Sequence, residues 1–314
     1  MDARFAPAIT KAASKQTYYT IRFLVDRPRV ANAYRAYAYF RWVDDVLDAE
    51  SPLDPTSIHD AAAVRTRFLA RQKALLDECL LGEPPPAANP HEAMLIDLVR
   101  SADLADGGLE TYLRHMMLVM DFDVRRRGRL VSKAELDDYT RWLAVAVTEA
   151  MHHFIGNGAA APHDDTRYAA VSGAHILHML RDTYTDLRAG YFNVPREVLA
   201  AHSIGPEDVG SDAYRAWVEG RVLLAAAQFE TGRAYFARVE NRRHRLAGLA
   251  YMARFEWLIE TLMREDFKLP PRYNKQDRLV AGPGRGMHAI AWIIDSWRVH
   301  TLPTPIASPR TGEP

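Results

Sequence analysis

Apolar residues recur along most of the chain at the three- and four-residue spacing of helices that bury one face. Prolines and glycines divide this pattern into segments, and no segment shows the convincing alternation of a strand. The pattern predicts helices over 28–49, 56–81, 91–104, 109–127, 132–155, 164–188, 212–243 and 245–267, with a short helix after Pro195. We therefore expect an all-α, single-domain bundle of eight or so helices around a central cavity.

Local signals support several of these boundaries. Pro28 suits the first turn of a helix, and the three prolines of 84–86 require a loop. Ser132 followed by Glu135 has the spacing of a capping box at a helix start. We expect an N-terminal segment over 1–11, a catalytic domain over 12–269 and a tail over 270–314.

The predicted tail contains one candidate amphipathic helix near 288–299. Trp292, Ile293 and Trp297 could lie on a membrane surface, or they could pack onto the domain. Both alternatives stay open. The apolar stretch 287–297 is far shorter than the roughly 20 residues that span a bilayer.

Charge and cysteine content narrow the function classes. The 314-residue chain has 40 basic and 40 acidic residues, so that no global charge attracts nucleic acid. A polyanionic ligand would therefore require a local site. Cys79 is the single cysteine, which excludes an internal disulfide, and no secretory signal is evident at the N-terminus. These features predict a cytoplasmic protein.

Two predicted helices each carry a pair of aspartates four residues apart. Asp44 and Asp48 form the first pair, and Asp182 and Asp186 form the second. Residues at this spacing share one helix face about 6 Å apart along the axis. Such carboxylates suit Mg²⁺, which takes a few carboxylate oxygens and keeps water or phosphate as its other ligands. A single aspartate pair commonly lies on a solvated helix face. Two pairs, each near an arginine, favour a binding site, because four carboxylates are costly to bury without cations.

The aromatic residues beside the first pair suggest a particular chemistry. An allylic diphosphate that loses pyrophosphate leaves a carbocation, which needs a water-free, apolar or aromatic wall. Metal ions and arginines stabilise the charge that develops on the leaving group. The first acidic helix supplies such a wall through Tyr34, Tyr37, Tyr39, Phe40 and Trp42.

Residues 37–48, YAYFRWVDDVLD, resemble the first acidic signature of the squalene/phytoene synthase family. Residues 180–195, LRDTYTDLRAGYFNVP, are similar to the second signature, and Ser14-Lys15 resembles a Ser-Lys near the family's N-terminus. The order and spacing agree, and the resemblance covers roughly 12–267. It implies an isoprenoid synthase-type bundle.

The resemblance also implies an activity and its residues. Members of the family join two isoprenyl diphosphates, here C15 or C20, head to head through a cyclopropyl diphosphate intermediate. Squalene synthases also use NADPH, which nothing in the sequence indicates. Two or three Mg²⁺ ions would be bound by Asp44, Asp48, Asp182 and Asp186. The diphosphates and prenyl chains would contact Arg41, Arg181, Lys15, Ser14, Tyr37, Asp121, Tyr139 and Arg188.

Three departures from the family pattern bear on the exact reaction. His175 and His178 stand where the family has Gln and Asn. His178 is a candidate for metal or diphosphate contact and would make the site pH-sensitive. His175 is a candidate substrate contact, with an ordinary cavity-facing histidine as the slightly favoured alternative. The family's glycine-rich stretch reads YTRWLAVAVT over 139–148, which predicts a narrower prenyl pocket. A late family tyrosine corresponds to Phe255.

Several alternatives remain at this stage. The departures could mark a terpene synthase or prenyl transfer to a non-prenyl acceptor in the same fold. A non-catalytic assembly factor is disfavoured because all four aspartates persist. A bundle that binds iron or manganese is disfavoured because this chain does not have the usual Glu-x-x-His pairs on two helices. We expect an isoprenyl diphosphate as partner, no nucleic acid, peripheral membrane contact as an option, and either a monomer or a homodimer.

Overall fold

The structure, a computed structural model, describes residues 2–49, 58–102, 104–105 and 107–273. Within these residues the chain forms eleven α-helices and no strand, which confirms the predicted all-α class. The helices are α1 (Phe5–Ala13), α2 (Lys15–Leu24), α3 (Val30–Asp48), α4 (Ile58–Leu80), α5 (Pro90–Ser101), α6 (Gly108–Arg126), α7 (Lys133–Phe154), α8 (Ala169–Ala189), α9 (Arg196–His202), α10 (Asp212–Arg238) and α11 (Arg242–Arg264). The candidate helix near 288–299 lies outside the described residues.

Helix caps follow the sequence signals closely. The Ser132 hydroxyl accepts a hydrogen bond from the Glu135 amide, and the Glu135 carboxylate accepts one from the Ser132 amide, which confirms the capping box. Asn89 caps α5 after the proline loop. Gly190 ends α8 at a φ of 84°, a left-handed conformation that favours glycine. This turn directs residues 191–195 back toward the acidic end of α8.

Two helices at the N-terminus were not predicted from the pattern. Between α1 and α2, Ser14 is extended and caps α2 through a hydrogen bond from the Thr17 amide. The C-terminal part also differs, since α10 ends at Arg238 and α11 begins at Arg242. Asn241 explains this second difference, because its side chain accepts hydrogen bonds from the Arg243 and His244 amides and starts a new helix.

Two buried apolar clusters form the core. The first is built mainly from α1 to α7 and the second mainly from α7 to α11, with α7 and α8 contributing to both. The helices α8 and α10 approach closely at Gly232, where an added Cβ would lie 2.8 Å from the Ala170 side chain. Among the described residues, no helix combines the length and apolar character needed to cross a membrane.

Candidate active site

The first acidic pair lies in the last turns of α3. Asp44 is buried and Asp48 is half-buried, whereas the intervening Asp45 is exposed, as the helical spacing predicts. Arg41, one turn earlier, bonds Asp45 through Nη2 and lies 3.6 Å from Asp44 Oδ2 through Nη1. This end of α3 therefore presents two carboxylates inward with an arginine beside them.

The second acidic pair lies in the last turns of α8. Arg181 donates from Nε to Asp182 Oδ1 and from Nη2 to Oδ2, each at 2.8 Å. His178 Nε2 lies 2.9 Å from Asp182 Oδ2. Burial raises the pKa of Asp182, but the hydrogen bonds from Arg181 and the nearby His178 outweigh it and hold the pKa well below its usual range. Asp182 is therefore ionised and firmly oriented.

Residues after the end of α8 connect the two pairs. Asn193 Nδ2 donates to Asp186 Oδ2 at 2.6 Å, and the Tyr191 hydroxyl donates to Asp48 Oδ1 at 3.4 Å. Arg126 from α6 lies between them, since its Nη1 donates to Asn193 Oδ1 at 2.9 Å and its Cζ lies 4.7 Å from the Tyr191 ring centroid. Tyr191, Arg126 and Asn193 thus form a bridge between the acidic pairs.

A buried acid on α6 completes this bridge. Asp123 accepts from Arg126 Nε at 2.7 Å and from the Tyr139 hydroxyl at 3.1 Å. Burial lowers the pKa of Arg126, but Asp123, Tyr139 and Asp186 outweigh this effect and raise it above its ordinary value. Arg126 is 2% exposed, and such a buried charge is stable only when it is paired and hydrogen-bonded.

Asp121, the predicted cavity-wall acid, does not join this group. It forms ion pairs with Lys73 and Arg125 at a half-exposed position, and Asp123 occupies the buried position instead. The helical pattern contains the signal that distinguishes them, because Met116, Met120 and Asp123 share one buried face. Asp121 lies off this face.

The other residues that were expected to contact diphosphate are partly buried near Arg41 and partly exposed at the surface. Tyr37 and Ser14 are both buried and share a side-chain hydrogen bond, and Arg41 lies near Tyr37. Burial is the main reason that the pKa of Tyr37 is raised to about 12. Lys15 and Arg188 are exposed, and Arg188 Nη2 donates to Thr185 Oγ1 at 3.3 Å. The structure therefore groups Ser14 and Tyr37 with Arg41, while Lys15 and Arg188 lie at the surface.

The two histidines that depart from the family pattern lie on α8. His175 is buried, packs edge-on against Tyr139 with ring centroids 4.8 Å apart, and has no hydrogen-bond partner for either ring nitrogen within the described residues. Burial, and then Arg181, lower the pKa of His178 to about 4 despite the opposing effect of Asp182. His178 is consequently neutral near pH 7, which disagrees with the predicted pH sensitivity in the neutral range.

A pocket of about 740 Å³, including its opening to solvent, lies beside the polar group. Tyr37 belongs both to the polar group and to the pocket wall. The wall also contains Thr17, Thr20, Ile21, Val25, Ala33, Ala36, Tyr112, Val147, Ala150, Met151, Phe154, Ile155, Ala247 and Tyr251.

Two positions of the pocket region relate to the sequence departures. Val147, from the stretch that lacks the family's glycines, lines the pocket, whereas Val145 and Thr148, which stand at the glycine positions, are not among its lining residues. Phe255 lies beside His178, with ring centroids 6.3 Å apart. Tyr251, one turn earlier on α11, lines the pocket and was not predicted to do so.

The two carboxylate pairs are suited to a Mg²⁺ ion that is coordinated by protein and substrate together. Within the described part of the chain, no three His, Cys, Asp or Glu side chains converge into a ready coordination shell. Mg²⁺ usually keeps several waters and binds one or two carboxylates together with substrate phosphates. Asp44 with Asp48, and Asp182 with Asp186, have the donor chemistry for this mode.

Comparison with known proteins agrees with the resemblance. The profile of the squalene/phytoene synthase family matches residues 10–281. The crystal structure of squalene synthase HpnC from Alicyclobacillus acidocaldarius is similar, with a TM-score of 0.61 and 20% identity, covering 85% of this chain and 95% of that chain. A dehydrosqualene synthase solved with a ligand is similar at a TM-score of 0.61 and 14% identity, covering 93% of this chain and 95% of that chain. No curated protein matches the sequence. The expected isoprenoid synthase-type bundle is confirmed.

Proposed function

This chain belongs to the squalene/phytoene synthase family, and from that membership and the site we propose a Mg²⁺-dependent prenyltransferase that joins two isoprenyl diphosphates head to head. The family supports the reaction type. The C15 or C20 substrate and the metal dependence are our proposals. The observation that supports them best is a bridge of Tyr191, Arg126 and Asn193 between two aspartate pairs, in a structure whose apolar pocket shares Tyr37 with the polar group.

Asp44, Asp48, Asp182 and Asp186 would hold the metal. When bound, Mg²⁺ would neutralise the negative charge that develops on the departing diphosphate. Arg41 and Arg181 already lie beside these carboxylates, and their guanidinium groups can turn N–H donors toward phosphate oxygens. His178, neutral near pH 7, lies beside this pair, with its Nε2 2.9 Å from Asp182 Oδ2.

The pocket wall would receive the prenyl chain and keep water from the carbocation. The rings of Tyr37, Tyr112 and Tyr251 present aromatic faces there, and such faces attract cations. Among the described residues, those that line the pocket include no acidic, basic or histidine side chain. We therefore expect the released diphosphate, held at the polar end, to accept the proton that the product loses.

Pyrophosphate release is the direct test of this function. Purified protein would be incubated with geranyl, farnesyl or geranylgeranyl diphosphate, with Mg²⁺ or with EDTA, and with or without NADPH. We expect release that requires Mg²⁺ and an organic extract containing a C30 or C40 product or its cyclopropyl diphosphate. Folded protein that turns over none of the three substrates would refute the proposal.

A second candidate keeps the ionisation step but changes the acceptor. The observation that favours it is a buried His175 whose ring nitrogens lack partners among the described residues. Pyrophosphate release with only single-chain products would select this terpene synthase-like or alternative-acceptor function. Peripheral membrane contact and the choice between monomer and homodimer stay predictions, and the NADPH arm of this assay tests a cofactor that the sequence does not indicate.

A further inference from the structure

Four arginines lie at and just after the end of α6, and three of them have an acidic partner. Arg125 pairs with Asp121 at 2.7 Å, Arg126 with Asp123 at 2.7 Å, and Arg129 with Glu135 at 2.8 Å. The fourth, Arg127, forms no ion pair with any described residue, and its Nη1 is buried without a hydrogen-bond partner there. Buried guanidinium N–H groups normally have acceptors, so this atom needs an explanation.

Arg127 is linked to the first acidic pair through Tyr191. Its Cζ lies 5.8 Å from the centroid of the Tyr191 ring, and the Tyr191 hydroxyl donates to Asp48 Oδ1 at 3.4 Å. A cation–π contact of this kind stabilises the guanidinium but satisfies none of its in-plane donors. The unsatisfied Nη1 therefore belongs to an arginine that packs against the same tyrosine that contacts Asp48.

A second arginine reaches the same place from α4. Arg65 Nη2 donates to the backbone oxygen of Ala49, the residue after Asp48, at 3.1 Å. Burial, and then the nearby Arg127, lower the pKa of Arg65, while Tyr191 and Asp48 oppose this effect. Two guanidinium groups from separate helices thus lie close enough to repel each other. Such an arrangement is stabilised when an anion binds both.

We propose that Arg65 and Arg127 form a diphosphate subsite at the edge of the first aspartate pair, next to Asp48. Nothing in the two acidic signatures assigns these arginines a role. The choice of diphosphate rests on the proposed function, since an isoprenyl diphosphate with metal on Asp48 would place phosphate oxygens on that side of α3. Guanidinium groups match phosphate oxygens with several N–H donors each. The subsite thereby adds positive charge to a clamp that is otherwise rich in carboxylates.

Binding of inorganic pyrophosphate, measured by titration calorimetry with and without Mg²⁺, tests the subsite without requiring turnover. Arg127→Met and Arg65→Met should each weaken pyrophosphate binding by roughly tenfold or more, because each removes charge-assisted hydrogen bonds. Arg125→Gln is the matched control, since it removes a cation from the same helix end, where Arg125 is exposed and bonded to Asp121. It should bind pyrophosphate like the wild type. Arg127→Lys should fall between the wild type and Arg127→Met, because it keeps the charge and loses the fork of donors.

Two outcomes would overturn the subsite. Wild-type affinity in both methionine variants would show that the arginines do not contact the ligand. An equal loss in Arg125→Gln would show that only the general positive charge matters. Circular dichroism of each variant checks the fold, and Arg65→Met still tests the subsite if Arg127→Met is unfolded. If the wild type binds pyrophosphate at these arginines but turns over no prenyl diphosphate, the proposed function fails while the subsite stands.

Discussion

The two acidic helices have the same aspartate spacing but different surroundings. On α8, Asp182 accepts two hydrogen bonds from Arg181 and contacts His178, and Asp186 accepts a short bond from Asn193. On α3, Arg41 lies 3.6 Å from Asp44, and Asp48 accepts a 3.4 Å bond from Tyr191. Arg181 therefore orients Asp182 through two hydrogen bonds, whereas Arg41 bonds the exposed Asp45 and lies farther from Asp44. The same aspartate spacing can thus place the neighbouring arginine on different carboxylates in the two halves of one site.

The largest effect is expected on turnover and applies to both helices. Asp44→Asn and Asp182→Asn should each reduce product formation by roughly a hundredfold or more, because each removes a charged ligand that stabilises the leaving group. Product would be quantified by mass spectrometry at saturating Mg²⁺. Near-normal turnover in either variant would show that the substituted aspartate is not a ligand of the catalytic metal.

Stability without metal should separate the two helices. Asp182→Asn should lower the free energy of unfolding by about 2 kcal/mol, because the largely buried Arg181 loses its charged partner. Asp44→Asn should cost less than half as much, since Arg41 keeps Asp45. Urea unfolding in EDTA measures both values. Equal losses would contradict the contrast between the arginine pairings of the two helices.

The bridge residues provide a smaller and more selective test. Asn193→Leu removes the donor to Asp186 and the acceptor of Arg126, so that the Mg²⁺ concentration for half-maximal activity should rise by roughly tenfold. Tyr191→Phe removes the 3.4 Å bond to Asp48 and should raise this Mg²⁺ concentration much less. A Mg²⁺ titration of activity checks both. A larger effect in Tyr191→Phe would show that the Tyr191 hydroxyl matters more to the acidic pairs than the Asn193 side chain.

The smallest effect concerns His178 and pH. Burial places the pKa of His178 at about 4, below its ordinary 6.5, so the folded protein holds it neutral. The stability linked to this group is complete above the unfolded pKa and is lost as the pH falls from there toward 4. Activity profiles of the wild type and His178→Asn should therefore superpose between about pH 6 and pH 8. A step in that range confined to the wild type would contradict a neutral His178.

The sequence could predict most helices and both acidic pairs because these are local patterns. The Ser132–Glu135 cap, the proline loop after α4 and the shared faces of Asp44 with Asp48 depend on residues a few positions apart. The two N-terminal helices α1 and α2 were missed, although their apolar spacing is equally local. The tail beyond the described residues leaves its predicted helix untested.

The partners of the site could not be predicted in the same way. Arg126 reaches Asn193 across 67 positions, and Tyr191 reaches Asp48 across 143. Such contacts depend on how the helices pack, which one sequence does not reveal. The choice between Asp121 and Asp123 was different, because the buried face of α6 already distinguishes them.

Mixed labelling tests head-to-head condensation most directly. Purified protein would receive equal amounts of unlabelled and fully deuterated farnesyl diphosphate with Mg²⁺, and the experiment would be repeated with geranylgeranyl diphosphate. The masses of the organic products would be measured by mass spectrometry. Two joined chains predict a C30 or C40 product that includes a species with one light and one heavy half. Products that contain only a single chain, all light or all heavy, would contradict condensation and leave ionisation alone as the activity of this site.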